Sequence, residues 1–351
     1  MRYFSDSYVQ ARTRIRSAFE TYGSWEAYPI EHDPQLTIDV ARIGPTDAKK
    51  LVIVSSGTHG VEGFFGSALQ LSVLEKQVLP PKDTALLIIH AINPFGFANI
   101  RRVNESNIDL NRNFMRVGET YSGADPGYHK LNGILNPQTP PGPELFLLRT
   151  AFNIARYGFN SLKNSIAQGQ YEYPKGLFFG GEGPSDSMKI IETNLPKWVG
   201  EAEEILHLDM HTGLGKWGTY VMASTKDLPS DILERLIPFF GSENVQQLSS
   251  EGVLYEIRGE FSTFCRSLFP DKRYIPFLAE FGTYNIIKVL KALRYENRVW
   301  HWGGNREKAK EILKEAFVPR DPQWEDIVLH RGTRIVEQAY EALSNSIGQR
   351  D

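Results

Sequence analysis

Three polar clusters in this sequence stand where apolar runs end. The first is Ser55-Ser56-Gly57-Thr58-His59-Gly60-Val61-Glu62-Gly63, directly after Leu51-Val52-Ile53-Val54. A His and a Glu three apart, on a turn crowded with glycines, can close on one cation. Taken alone, the stretch is equally well a Gly-rich turn with a capping Glu and an unrelated His. The second cluster ends the run at 205–210, where His207, Asp209 and His211 share one strand face because side chains alternate. His211, the last of them, is the one placed to reach a cation above a sheet edge. The third is Glu280, near the end of the run 274–281. Two His and one Glu leave a coordination position for water, as in hydrolytic zinc sites, and zinc lowers the pKa of its water toward ~7. A separate carboxylate must then take the water proton and pass it to the leaving group, which Glu280 could do.

A fourth cluster is Arg101-Arg102-Val103-Asn104-Glu105-Ser106-Asn107-Ile108-Asp109-Leu110-Asn111-Arg112-Asn113-Phe114. Arginine suits both a carboxylate anchor, through its planar fork, and the charge that develops on a carbonyl oxygen.

The elements that would carry these residues follow from hydrophobic spacing. Residues 51–54 and 86–89 read as strands covered on both faces, joined by a helix over about 62–76 to form a βαβ unit. Strands are also expected at 36–43, 205–210, 219–223 and 274–281. Helices are expected at 8–22, 144–167, 230–240, 286–295, 306–316 and 324–343. The stretch 119–144, rich in Gly, Pro, Asn and Tyr, reads as a long surface loop, and 170–187 as a second irregular segment. This is an α/β chain: one domain over 1–351 with a central mixed, mostly parallel sheet flanked by helices. It carries an insertion at about 115–200 and C-terminal helices at about 286–345. The clusters then fall at strand ends, the usual ligand edge of such a sheet.

With 351 residues, 41% hydrophobic and 23% charged, there is ample chain for a large core. A net charge of −3 provides no basic excess for phosphate neutralisation, so a nucleic-acid partner is not expected. Cys265 is the only cysteine, which excludes an intrachain disulfide and a Cys-based zinc cluster. Residues 1–20 carry four arginines but no apolar core of a secretory signal, and no run reaches the ~18–20 apolar residues of a membrane span. A cytoplasmic protein without membrane contact is expected. The turn at 57–66 has no Gly-Lys-Ser/Thr, which argues against a nucleotide site.

The ordered set His59-x-x-Glu62, Asn93-Pro-x-Gly96, Arg102, Asp109-Leu-Asn111-Arg112-Asn113-Phe114, Asp209-x-His211 and Glu280 resembles the zinc carboxypeptidase superfamily. That superfamily includes the murein peptide amidases, which residues 93–114 resemble most, and the succinylglutamate desuccinylase/aspartoacylase branch, which Asp-x-His resembles. The resemblance implies one zinc per chain, bound by His59, Glu62 and His211, with Asp109 on the free ring nitrogen of His59. It implies that Arg102 polarises the scissile carbonyl and that Glu280 is the general base and then acid. Asn111 and Arg112 would grip a substrate carboxylate, and Tyr255 stands at about the interval of a substrate-capping tyrosine. The implied activity is cleavage of an amide bond beside a free carboxylate, in a short peptide or a small molecule. The alternative is an N-acyl amino acid deacylase of the desuccinylase/aspartoacylase type. A catalytically inactive binding module on the same fold is the reading from another class. A competent residue type at each placed catalytic position favours an enzyme.

Overall fold

The computed structural model describes residues 3–146, 168–225, 228–247 and 257–346, together with 148, 152, 156, 158 and 166. Eight strands form one sheet: β1 Trp25–Ile30, β2 Asp33–Ile43, β3 Lys50–Ser56, β4 Thr84–His90, β5 Glu204–Thr212, β6 Tyr220–Ser224, β7 Val245–Gln247 and β8 Arg273–Phe281. Their order is β1-β2-β4-β3-β5-β8-β6-β7. The central four, β4-β3-β5-β8, run parallel, while β2 and β6 flank them antiparallel. The sheet is therefore mixed and parallel at its centre, as the sequence implied.

Covering it are ten helices among the described residues: α1 Tyr8–Tyr22, α2 Gly63–Glu75, α3 Pro94–Asn99, α4 Pro126–Leu135, α5 Asp186–Val199, α6 Ser230–Phe240, α7 Phe261–Ser267, α8 Ile286–Trp302, α9 Arg306–Phe317 and α10 Pro322–Ser346. The strand pattern explains the layering. Along β3 and β4, Val52, Val54, Leu86 and Ile88 enter one core with α1, α2, α8 and α10, and Leu51, Ile53, Leu87 and Ile89 enter the other with α5 and α7. Alternate side chains thus serve opposite faces, which is why these runs are continuously apolar. Helix α2 links parallel neighbours β3 and β4 and is buried from Gly63 to Leu74.

Two expectations need correction or restriction. The 119–144 stretch is not a continuous loop, because α4 lies within it. Asp125 accepts from Gly127 N, Pro126 occupies the first turn, and Tyr128, Leu131 and Leu135 are buried at helical spacing. The helix expected at 144–167 falls mostly outside the described residues. Among the described residues, no helix is long and apolar enough to cross a membrane.

Candidate functional site

Because β3, β5 and β8 are parallel neighbours, their C-terminal ends lie side by side. His211 and Glu280 are direct cross-strand partners at that edge. The turn after β3 supplies the rest. Gly57 adopts φ +68°, a left-handed conformation that suits glycine. Gly60 packs so tightly on Gly96 that a Cβ there would lie 2.1 Å from the Gly96 carbonyl carbon. Backbone bonds from Gly60 N to Arg102 O (3.1 Å) and Val61 N to Arg101 O (2.8 Å) tie the turn to the arginine pair. The chain then winds into a 3-10 turn, Gly60–Glu62, and on into α2, turning His59 and Glu62 over the sheet edge.

There the three predicted ligands meet. His59 Nδ1 lies 2.8 Å from Glu62 Oε1, His211 Nδ1 lies 3.1 Å from Glu62 Oε2, and the two Nδ1 atoms are 3.2 Å apart. All three residues are buried, and among the described residues they are the group of His, Cys, Asp and Glu side chains that could hold a metal ion. Three ligand atoms 2.8–3.2 Å from one another match the mutual spacing of ligands ~2.0–2.2 Å from one small cation.

Their outer nitrogens are also held. His211 Nε2 is 2.5 Å from Asp209 Oδ2, and Asp209 in turn accepts from the Ser55 hydroxyl (2.6 Å) and lies 3.1 Å from the Thr58 hydroxyl. Sequence reasoning placed Asp209 on the right strand face but did not identify it as the partner of His211; their i, i+2 spacing carried that signal. His59 Nε2 is 3.2 Å from Asp109 Oδ1. Arg102 Nη2 also approaches that ring nitrogen, at 2.6 Å, while Arg102 Nε donates to Asp109 Oδ2 at 2.8 Å. An Arg N–H cannot donate to a nitrogen that already carries a proton. Arg102 and Asp109 therefore compete for His59 Nε2, and the proton on that nitrogen, which a metal held by the other ring nitrogen would require, would favour Asp109.

Charge supports the fit. Burial alone would raise Glu62, but His59 and His211 overcome it and hold the carboxyl at about 2. Burial likewise opposes ionisation of Asp109 and Asp209, yet Arg102 and His59 hold the first well below its ordinary value, and His211 lowers the second. Desolvation would depress His211, but Asp209 and Glu62 keep it well above the usual imidazole range. With His211 protonated, the three buried carboxylates are balanced by it and by the Arg102 and Arg112 guanidiniums, so a cation here would take the place of the His211 proton rather than add to the charge. By contrast His207, held neutral near a pKa of about 4 by burial, bonds Ser55 and Tyr274 behind the site.

Glu280 is 7% exposed, and its Oε1 accepts from Leu214 N at 2.7 Å. Burial, then the charge of Glu62, raises its carboxyl to about 8. Arg112 is 4% exposed; its Nη1 donates to Asn111 O, and its buried Nε has no hydrogen-bond partner among the described residues. Asn111 Oδ1 accepts from Phe261 N (3.0 Å), so part of that side chain fixes the loop on α7. Phe178, at φ +58° in the segment expected to be irregular, lies 5.4 Å from the Arg102 guanidinium and 6.0 Å from that of Arg112. Nothing in the sequence singled it out. His59, Glu62, Arg102, Asn111, Arg112, His211 and Glu280 all line one cavity of about 140 Å³. Tyr255 lies outside the described residues.

A family described as "Protein of unknown function (DUF2817)" matches residues 4–331. A search of curated proteins returns no match. Among solved structures, the chain is similar to thrombin activatable fibrinolysis inhibitor, with TM-score 0.54, 13% identity, and coverage of 97% of this chain and 74% of that one. It is also similar to a metallo-carboxypeptidase from Burkholderia cenocepacia, with TM-score 0.51, 11% identity, and coverage of 98% and 71%. The fold is that of the metallo-carboxypeptidases, as the motif set implied.

Proposed function

The chain belongs to the DUF2817 family, and on that premise we propose that it is a zinc-dependent hydrolase cleaving an amide bond next to a free carboxylate. One observation carries the reading: His59, Glu62 and His211 converge within 2.8–3.2 Å of one another, in the same cavity as Glu280. These three side chains would hold one zinc ion per chain. Zinc so held supplies Lewis acidity, polarising a carbonyl and acidifying a water. Glu280 accepts the proton of the attacking water and returns it to the leaving nitrogen. A carboxyl lifted by burial is suited to that exchange near neutrality, and a nearby cation draws its pKa back down. Arg112 receives the substrate carboxylate on its fork, with Asn111 beside it. Arg102 stands ready for the developing charge on the carbonyl oxygen. Asp109 and Asp209 fix the tautomers and ring orientations of His59 and His211.

The test is hydrolysis of C-terminally free peptides and N-acyl amino acids by zinc-loaded protein. Turnover is expected to vanish with a chelator and return on adding zinc. Hydrolysis indifferent to the chelator contradicts the proposal.

A further inference from the structure

We propose that the acyl side of the scissile bond is read by an apolar wall, so that the substrate is an N-acyl amino acid with an apolar acyl chain rather than a longer peptide. This inference rests on the hydrolase reading above. The cavity has an apolar residue, Phe178, beside its arginines too, but its lining from α8 and α9 carries no polar side chain at all. Ile108, Leu110 and Phe114, which bracket Asn111 and Arg112 in sequence, pack into the core on the α5/α7 face of the sheet. Val289, Leu293 and Phe317 belong to the core on the opposite face, and they line the cavity together with Leu214, Ile286 and Leu290. His211 and Glu280 stand at the C-terminal edge of the sheet that separates the two cores, with His59 and Glu62 against His211. An amino acid with its carboxylate on Arg112 and its amide at this cluster therefore directs the acyl group toward α8 and α9.

What waits there is hydrocarbon. Ile286, Val289, Leu290 and Leu293 follow the i, i+3, i+4, i+7 pattern that places them on one face of α8. The charged residues between them turn outward: Lys288 is exposed with its ammonium over the Tyr284 ring, and Lys291 is exposed. Val289 and Leu293 are buried, while Ile286 and Leu290 are half-buried and keep surface for a ligand. The nearby Leu214 N–H is already committed to Glu280. A peptide extending this way brings an N–H and a C=O per residue, and along the α8 and α9 side chains these lose their water partners; the lining hydroxyl without a partner among the described residues, Thr212 Oγ1, lies at the end of β5 and could serve at most one of them. An alkyl chain brings neither and gains from leaving water.

The experiment measures kcat/KM of the zinc-loaded enzyme for N-acetyl, N-butanoyl, N-hexanoyl and N-octanoyl derivatives of alanine, phenylalanine and glutamate. N-acetyl dipeptides and tripeptides ending in the same residues run alongside. Calorimetry of the same compounds on zinc-loaded Glu280→Gln reads binding apart from turnover. We expect kcat/KM and affinity to rise about three- to fourfold per methylene over the first few carbons, and the octanoyl compound to exceed every peptide. Leu290→Lys and Ile286→Ser, each checked for melting temperature and zinc content, should flatten the chain-length dependence. Turnover without chain-length dependence, or with peptides preferred, overturns the apolar wall and leaves the hydrolase reading standing. Chain-length-dependent binding without any turnover supports the wall and overturns the hydrolase reading. Neither turnover nor chain-length-dependent binding overturns both.

Discussion

Glu280→Gln is expected to lower kcat by about 10²–10⁴-fold, the usual contribution of a positioned acid–base group, while zinc remains at one per chain. The substitution preserves shape. Gln can still accept the Leu214 N–H through its amide oxygen, so the loop after β5 keeps its anchor. What it loses is the capacity to take a proton and give it back. Position supports this division of labour. Glu280 shares the cavity with His59, Glu62 and His211 but lies outside their mutual contacts. The other carboxylates near the site are unsuited to the task, because Glu62, Asp109 and Asp209 are all held below their ordinary values by the imidazoles and guanidiniums beside them. Steady-state rates with metal analysis of the same preparation check the prediction. Activity retained at full zinc content moves the general base elsewhere.

Arg112→Met should reduce kcat/KM for carboxylate-bearing substrates by about 10²–10³-fold, mostly through KM. Leaving a buried charge without its partner costs about 3–5 kcal/mol, and here the unpartnered charge is the substrate's. The side chain is prepared for a ligand: it is nearly inaccessible, its Nε has no protein partner among the described residues, and burial lowers its pKa, so an anion beside it restores what desolvation takes away. For the corresponding C-terminal amide the loss should be clearly smaller, about tenfold, since a bond from the charged guanidinium to a neutral carbonyl lacks the ion-pair attraction and is worth roughly 1.5 kcal/mol at the low end. Equal losses for acid and amide remove Arg112 as the carboxylate anchor. Lysine is not a conservative replacement, because a single ammonium cannot reproduce the fork.

The strands that carry the site were legible because each is buried on both faces and reads wholly or largely as an apolar run. β3 and β4 announce themselves in this way, β8 nearly so, and β5 as apolar residues alternating with His207, Asp209 and His211, so the polar residues at the strand ends stand out by contrast. Helices α1 and α6 have the predicted bounds because their apolar spacing is regular and their ends are marked by Ser7 and Gly23, and by Pro229 and Gly241. Edge strand β1 was missed: Trp-Glu-Ala-Tyr-Pro-Ile is largely exposed, so burial imposes no alternation on it. Helices α4 and α7 are short, and their signal is a capping Asp125 or Glu260 rather than a long period. Helix α5 did carry a readable pattern, with Ser185 as cap and Met188, Ile191, Leu195 and Trp198 buried, but it follows directly on an irregular stretch. Contacts across the fold were the least visible. Nothing in the linear order brings Phe178 between two arginines, or places α8 and Phe317 opposite the Arg112 loop.

Metal stoichiometry is the most direct measurement. Metal-free protein dialysed against a small excess of zinc should bind one ion per chain, with His59→Ala and His211→Ala binding none under the same conditions while remaining folded by circular dichroism. Wild-type protein that stays metal-free in zinc-containing buffer contradicts the account, as does full zinc occupancy in either histidine variant.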